Sequence, residues 1–312
     1  MSGALSAVFA ELGLQVLERG WLSSNNIVFS AGRESGAAIV DTGYDSHIEQ
    51  TLALIQHALK GAELERVVNT HLHSDHCGGN AALQDTAGAE VWVPEASFDA
   101  ARNWDAARLS FDATDQRCRR FSVQAPISGG QEIALGTTKW QVIAAPGHDA
   151  EAVMLFQPES RVLISADALW EERLAIIFPE LGGESGFGPA REALVCIEAL
   201  QPRIVIPGHG RPFTDVAGAL SRSRQRLAQF EAFPEKHSRY AMRALVMFHM
   251  LERQQRHVGD LVEWMLRAPI FQRAHGEVET RGDDPRIAAE ATIESLERDG
   301  ILAFDGVSVR IA

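Results

Sequence analysis

The chain has 312 residues, enough for one large or two small domains, and its 46% hydrophobic residues suffice for a buried core. It carries 29 basic and 42 acidic residues, and the net charge of −13 argues against a nucleic-acid partner. No apolar run approaches the ~18 residues of a membrane span, and the start MSGALSAVFAEL lacks the basic region of a secretion signal. The three cysteines are widely spaced and odd in number, which argues against a disulfide framework. We therefore expect a cytoplasmic location without membrane contact.

Strand patterns alternate with helical patterns over the first two thirds of the chain. Eight apolar runs are predicted as strands: 27–30, 37–40, 66–70, 91–93, 140–145, 152–156, 161–165 and 203–206. Helices are predicted over 46–60 and 189–200, and Pro189 is suited to the first turn of the second helix. The alternation is typical of an α/β fold.

The densest group of candidate site residues is the stretch HLHSDHCGG, which begins at His71 and holds three of the 11 histidines. It follows the predicted strand 66–70 and ends in two glycines, so it lies at a strand-to-helix edge where α/β folds bind ligands. His71 and His73 alternate and can face one point, whereas Asp75 and His76 follow a turn and can face a neighbouring point. Imidazole and carboxylate bind zinc, iron and manganese, so the pattern predicts two metals, or one metal and a catalytic acid.

Three further strand ends each present one side chain that could bind a metal. They are His148 in APGHD, Asp167 in SADAL and His209 in IPGHG. In each case an apolar run comes first, and in the two histidine cases a Pro-Gly turn follows it. Because a dinuclear site needs ligands from several strand ends, these positions and the histidine cluster form one constellation.

The motifs HxHxDH, GH, a strand-end Asp and PGHG resemble, in order and rough spacing, the metallo-β-lactamase superfamily of hydrolases. The segment DTG at 41–43, after the run AAIV, matches as well, and the resemblance covers roughly residues 10–215. It implies an α/β fold in the form of a four-layer αβ/βα sandwich. The motifs are specific for the superfamily and weak for any one substrate.

The resemblance also implies a role for each motif residue. It places His71, His73 and His148 on one metal, Asp75, His76 and His209 on the other, Asp167 as their bridge, and Asp41 in support of the ligand loop. The implied cofactor is a pair of divalent metal ions, zinc in the first place, with iron or manganese as alternatives. After His148 the chain reads DAEA, where many relatives have a small hydroxyl residue and a glycine, so we expect Asp149 to support the loop rather than to bind metal.

Two divalent cations that share a water lower its pKa enough to give hydroxide near neutral pH. The expected reaction is hydrolysis by this metal-bridging hydroxide, with Asp75 as the catalytic residue that binds metal and accepts the proton. Neither GxSxG nor SxxK occurs in the chain, so no side-chain nucleophile is predicted.

Two insertions, 98–123 and 168–188, could shape a substrate pocket. The second follows Asp167 directly and is rich in glycine and aromatic residues, which is typical of a mobile apolar lip. Trp170 and Phe178 are therefore the predicted substrate-binding residues, and the alternative for Phe178 is plain core packing.

From about residue 220 the composition shifts to long helical patterns. Asp305-Gly306 between two apolar runs is a strong hairpin signal at the end of the chain. Three helices followed by a hairpin look like a winged helix, which some members of the superfamily carry. The chain is thus divided into a metallo-β-lactamase-like catalytic domain, 1–219, and a helical, winged-helix-like domain, 220–312.

The charges of this second domain speak against nucleic acid as its partner. Residues 221–312 hold 14 basic and 14 acidic side chains, and the helix pattern 286–298 is rich in glutamate. We expect this domain to close the pocket or to form a homodimer. Its histidines show no ligand pattern and are expected to be ordinary packing or surface residues: His237, His249, His257 and His275.

Three hypotheses on function follow from this pattern. The first is a dinuclear metal-dependent hydrolase of a small ester, thioester or lactone, favoured by the apolar lip and the acidic catalytic part. The second is a metal-dependent phosphodiesterase or endoribonuclease that holds nucleic acid with the winged helix. The third is a mononuclear iron oxygenase that acts on a persulfide, since the ligand pattern does not fix the metal.

Overall fold

Two β-sheets hold the strands of the first two thirds of the chain. The computed structural model describes residues 3–278 and 284–312. In the first sheet, strands that are neighbours in space are also consecutive in the chain: β1 (Leu14–Leu17), β2 (Asn26–Phe29), β3 (Ala37–Val40), β4 (Leu64–Val68), β5 (Glu90–Pro94) and β6 (Ala125–Ile127). The same holds for the strands of the second sheet: β7 (Glu132–Leu135), β8 (Thr138–Ala144), β9 (Val153–Gln157), β10 (Val162–Ala166) and β11 (Ile204–Pro207).

Helices alternate with the strands, and only some of them cover the outer faces of the sheets. In chain order they are α1 (Gly3–Glu11), α2 (Ile48–Leu59), α3 (Ser74–Cys77), α4 (Asn80–Ala87), α5 (Glu95–Asn103), α6 (Phe111–Thr114), α7 (Phe178–Leu181), α8 (Phe187–Leu200) and α9 (Val216–Ala232). Strands β3, β4, β5 and β6 pair in parallel, as do β10 and β11, and parallel neighbours need crossovers of the kind that helices supply.

Three apolar clusters account for the layers. The inner faces of the two sheets meet around Trp140, which is fully buried and makes an edge contact with Phe29 at 5.5 Å. The outer face of the first sheet packs on α2, α4 and α5, and that of the second sheet packs on α8 and α9. The arrangement is the expected four-layer αβ/βα sandwich.

Strand side chains alternate between these clusters. In β4, Val68 points into the inter-sheet core whereas Val67 points towards the helices, and in β10 Ile164 and Leu163 divide in the same way. Because both faces are buried, the strands read as continuous apolar runs rather than as alternating patterns.

The remaining chain builds a helical unit with a small sheet. It comprises α10 (Pro234–Arg253), β12 (Gln255–His257), α11 (Val258–Arg267), α12 (Pro269–Val278), α13 (Pro285–Arg298), β13 (Leu302–Phe304) and β14 (Ser308–Ile311), with strand order β12-β14-β13. The hairpin predicted at Asp305-Gly306 is present, and Gly306 has φ +97°, which a glycine adopts without strain. The winged-helix assignment stays a prediction.

Several elements differ from the sequence expectations. The eight predicted strands lie within about two residues of observed ones. The elements that were not anticipated are the strands β1, β6, β7 and β12 and the helices α1, α5, α6, α7 and α12. The predicted domain division at 219/220 falls inside α9, and this helix packs against the second sheet and α8. The division itself stays a prediction.

The C-terminal helices contact both insertions. Ile176, Phe178 and Leu181 of the second insertion pack into the C-terminal apolar cluster, and the indole N–H of Trp264 donates to Asp115 of the first insertion at 2.8 Å. The walls beside the predicted site are therefore held by the C-terminal part. Among the described residues, no helix has the length and hydropathy needed to cross a bilayer.

Candidate metal centre

Four loops meet at one edge of the sandwich and carry the seven predicted ligands. The loop after β4 and helix α3 carry the HxHxDH stretch, and the loops after β8, β10 and β11 carry the other three side chains. Asn25 holds the loop after β11, because its backbone N–H donates to the carbonyl of Gly208 and its side-chain amide donates to the carbonyls of Pro207 and Gly210. Ser24 N–H donates to the carbonyl of Asp75 at 3.0 Å.

The donor atoms of the seven side chains fall into three overlapping groups, in each of which they lie within 4.8 Å of one another. The groups are His71, His73 and His148; Asp75, His76 and His209; and His71, His76 and Asp167. Every member is buried. The structure therefore places together every residue that the sequence pattern selected, and their role as metal ligands stays a prediction.

Asp167 lies between the two three-residue groups that were assigned to separate metals. Its Oδ2 is 3.3 Å from His148 Nε2, 3.5 Å from His76 Nε2 and 3.9 Å from His209 Nε2. In the second group, Asp75 Oδ2 is 3.0 Å from His209 Nε2. A carboxylate in this central position has the geometry that a bridging ligand needs.

Burial sets the protonation of the first group. It holds the pKa of His71 well below its ordinary value, and it lowers the pKa values of His73 and His148 to about 4. At neutral pH these three imidazoles are uncharged and keep a lone pair for a cation.

Charge dominates in the second group. Burial opposes ionisation of Asp75 and Asp167, but neighbouring His76 and His209 hold the pKa values of both carboxyl groups below their ordinary range. Burial would likewise lower the pKa of His76, but Asp41, Asp167 and Asp75 raise it well above its ordinary value. This side of the centre therefore has an excess of buried negative charge, which a divalent cation would compensate.

The donor set fits a pair of cations. His76 Nε2 is fully buried and makes no hydrogen bond to any described residue, and it points between the carboxylates of Asp75 and Asp167. The distances from this nitrogen to the two carboxylates, 3.7 and 3.5 Å, are longer than those of a good hydrogen bond, so the space between them suits a ligand that the protein does not itself supply.

Asp41 supports this arrangement through three hydrogen bonds. Its carboxylate accepts from the backbone N–H of Thr70 at 2.9 Å, from the Thr70 hydroxyl at 2.7 Å and from His76 Nδ1 at 2.7 Å. The bond to Nδ1 directs Nε2 of His76 towards the cluster. Asp41 has φ +55°, a backbone conformation that Asp tolerates better than most residues.

The glycines of the motifs permit close backbone approach. A Cβ on Gly79 would lie 2.6 Å from the carbonyl oxygen of Thr42, and a Cβ on Gly208 would lie 2.1 Å from Asp167 Oδ1. Both positions therefore require glycine for space.

A family model for the metallo-beta-lactamase superfamily matches residues 19–209, which is more than half of the chain. The chain belongs to this superfamily. Within it, hydroxyacylglutathione hydrolase from Brucella ovis is 26% identical over 111 residues, which are 36% of this chain and 36% of that protein. The match thus spans little more than a third of that relative's length.

Solved structures of other proteins have the same fold. The family protein TTHA1429 from Thermus thermophilus is 20% identical, has a TM-score of 0.56, and covers 96% of this chain and 99% of its own. TTHA1623, solved in a di-iron-bound form, is 23% identical with a TM-score of 0.52, and covers 68% of this chain and 97% of its own. At these identities the likeness concerns the fold alone.

In this member of the superfamily, both predicted pocket residues touch predicted ligands. The indole N–H of Trp170 donates to Asp167 Oδ1 at 3.0 Å, and its ring centroid is 5.3 Å from that of His209. The Phe178 ring is 4.6 Å from His73 and also packs against the C-terminal cluster. Phe178 therefore packs in the C-terminal core and contacts a predicted ligand, and its part in substrate binding stays a prediction.

Two residues that the motifs did not select lie at this centre or at the insertion beside it. Trp21 stacks on His209 with centroids 5.4 Å apart, is 46% exposed, and has the guanidinium of Arg173 over its ring at 5.6 Å. His237, which was taken for an ordinary packing residue, contacts the second insertion at Ile177. Neither residue lies in a motif, so no local signal indicated them.

Proposed function

We propose that this chain is a dinuclear metal-dependent hydrolase of a small thioester, ester or lactone. The observation that carries the proposal is the convergence of seven buried side chains at one sheet edge, with a three-residue group on each side of a central carboxylate. Zinc is the proposed metal, with iron or manganese as alternatives, since imidazole and carboxylate donors suit all three.

Two bound cations would supply an activated water near neutral pH and would polarise a substrate carbonyl. The side chains of the chain do the remaining work. Asp75 lies between His76 and His209 as a carboxylate, so its Oδ2 can orient the water and accept its proton. Trp21, Trp170 and Phe178 line the approach with apolar area that would bind the organic part of a substrate.

The thioester is the favoured bond because the partial match is to a hydroxyacylglutathione hydrolase, a relative named for a thioester substrate. The acidic catalytic part argues against the alternative of a phosphodiesterase on nucleic acid, because it repels a polyanion. An iron oxygenase would hold one iron per chain.

The test combines metal analysis with a substrate panel. We expect two equivalents of metal per chain and turnover of at least one thioester, ester or lactone, and we expect His71→Ala to lose both. The exposed control variant Asp99→Asn on α5 should retain both. Two bound metals without turnover of any panel member, but with cleavage of bis(p-nitrophenyl) phosphate, would favour the phosphodiesterase, and a single iron would favour the oxygenase.

A further inference from the structure

A histidine of the C-terminal unit lies two hydrogen bonds from a predicted ligand. His237, near the start of α10, is 1% exposed, and its Nε2 accepts a hydrogen bond from the backbone N–H of Ile177 at 3.0 Å. The rings of Phe187 and Phe230 flank it, with centroids at 5.3 and 5.1 Å. In this apolar setting water does not compete for the bond, so the bond is worth more than one at the surface.

The segment that His237 holds also binds His148. The carbonyl of Ile176 accepts from His148 Nδ1 at 2.6 Å, and the backbone N–H of Phe178 donates to the carbonyl of His148 at 3.1 Å. The backbone hydrogen bonds of three consecutive residues thus point alternately to two sides. Ile177 is bonded to the C-terminal unit, and its neighbours Ile176 and Phe178 are bonded to His148. The Nδ1 bond places the proton of His148 on Nδ1 and leaves Nε2 free to face the cluster.

The chemical state of His237 suits an acceptor. Burial lowers its pKa to about 4, so at neutral pH the ring is uncharged and Nε2 carries a lone pair. Loss of the acceptor would leave the buried N–H of Ile177 unpaired, and the segment would shift to find another partner.

We propose that His237 is a positioning residue for the metal centre: by holding Ile177, it fixes the Ile176 carbonyl that orients His148. The inference rests on the proposed function, since it assigns the C-terminal unit a part in the same site. The C-terminal unit then completes the metal centre rather than standing apart from it.

Substitutions at His237 separate positioning from simple packing. His237→Gln can place an amide oxygen where Nε2 lies, whereas His237→Asn is polar but too short, and His237→Leu fills space without an acceptor. The matched control is His249→Leu, because His249 is another buried histidine of α10 that accepts one hydrogen bond, from Arg256 at 3.0 Å.

The experiment measures the affinity of the full chain for Co²⁺ in competition with a chelator. Binding is detected by the visible absorbance of the bound Co²⁺. We expect His237→Leu and His237→Asn to weaken one of the two sites about tenfold, the lower end of the range for partners of metal ligands. Both should also alter the Co²⁺ spectrum, and His237→Gln and His249→Leu should retain the wild-type spectrum and affinities. If His237→Leu does not fold, the Asn and Gln variants alone decide the matter.

Two results would overturn the inference while leaving the proposed function intact. One is wild-type affinity and spectrum in His237→Asn, and the other is an equal loss in His249→Leu. Wild-type protein that binds fewer than two cobalt ions would instead defeat the proposed function, and this inference with it.

Discussion

Asp41→Asn tests whether the hydrogen bond to His76 controls metal binding. In the native chain, the carboxylate accepts three hydrogen bonds and one of its oxygens faces His76 Nδ1 at 2.7 Å. An amide can keep an oxygen towards the backbone N–H of Thr70, but its NH₂ group then faces the N–H of His76. The two donors repel, and His76 relieves the conflict by moving its proton to Nε2, the atom that should bind the cation.

The magnitude follows from the bond that is lost. A hydrogen bond to a charged group contributes about 1.5–3 kcal/mol, which corresponds to roughly a 10- to 150-fold loss of metal affinity at about 1.4 kcal/mol per tenfold. This range agrees with the ~10–100-fold effect typical of residues that orient metal ligands. The variant should still fold, since two of the three hydrogen bonds can be kept.

Zinc affinity is measured by competition with a chromophoric chelator, and folding is checked by circular dichroism and thermal unfolding. Asp99→Asn on the exposed face of α5 is the matched control, because it makes the same chemical change away from the cluster. A folded Asp41→Asn protein whose zinc affinity stays within twofold of wild type would refute the reasoning.

Three further outcomes are expected. Gly208→Ala should abolish binding of the second metal and destabilise the fold by about 1–3 kcal/mol, because the new Cβ would lie 2.1 Å from Asp167 Oδ1. Elemental analysis and thermal unfolding measure the two effects. The control is Gly188→Ala, whose new Cβ would meet no atom within 4 Å. Trp170→Phe keeps the aromatic area but removes the donor to Asp167, so metal affinity should fall about tenfold with little change in thermal stability, and unchanged affinity in the chelator assay would contradict this. Burial lowers the pKa of His237 to about 4 in the folded chain, below the ~6.5 of an unfolded chain, so the unfolded state takes up its proton first as the pH falls. The free energy of unfolding of the metal-free wild type, relative to that of His237→Gln, should therefore fall by up to about 3 kcal/mol between pH 6.5 and 4. Denaturant titrations that show a difference independent of pH would exclude this.

Local pattern was enough for much of the fold. Buried strands such as β3, β9 and β10 are continuous apolar runs, so their positions could be predicted to within about two residues. The strands β1, β6 and β7 were missed because no continuous apolar run marks them: Gln15 interrupts β1, Pro126 interrupts β6, and β7 has only three apolar residues. Helix α12 was missed because polar residues dominate its second half, QRAHGE, and leave no apolar period.

The amino-acid sequence by itself determined which residues form the candidate centre, because each predicted ligand follows an apolar strand and its spacing is local information. Only the tertiary structure decided what surrounds them: Trp170 on Asp167, Trp21 on His209, and His237 behind His148. Trp21 and His237 are distant in the chain from the residues they contact, so these contacts depend on how the sheets stack and where the C-terminal helices dock. Trp170 is only three residues from Asp167, but the local sequence does not fix the direction of its side chain. Contacts of this kind leave no periodic signal, because any buried donor and acceptor brought into register by packing can form them.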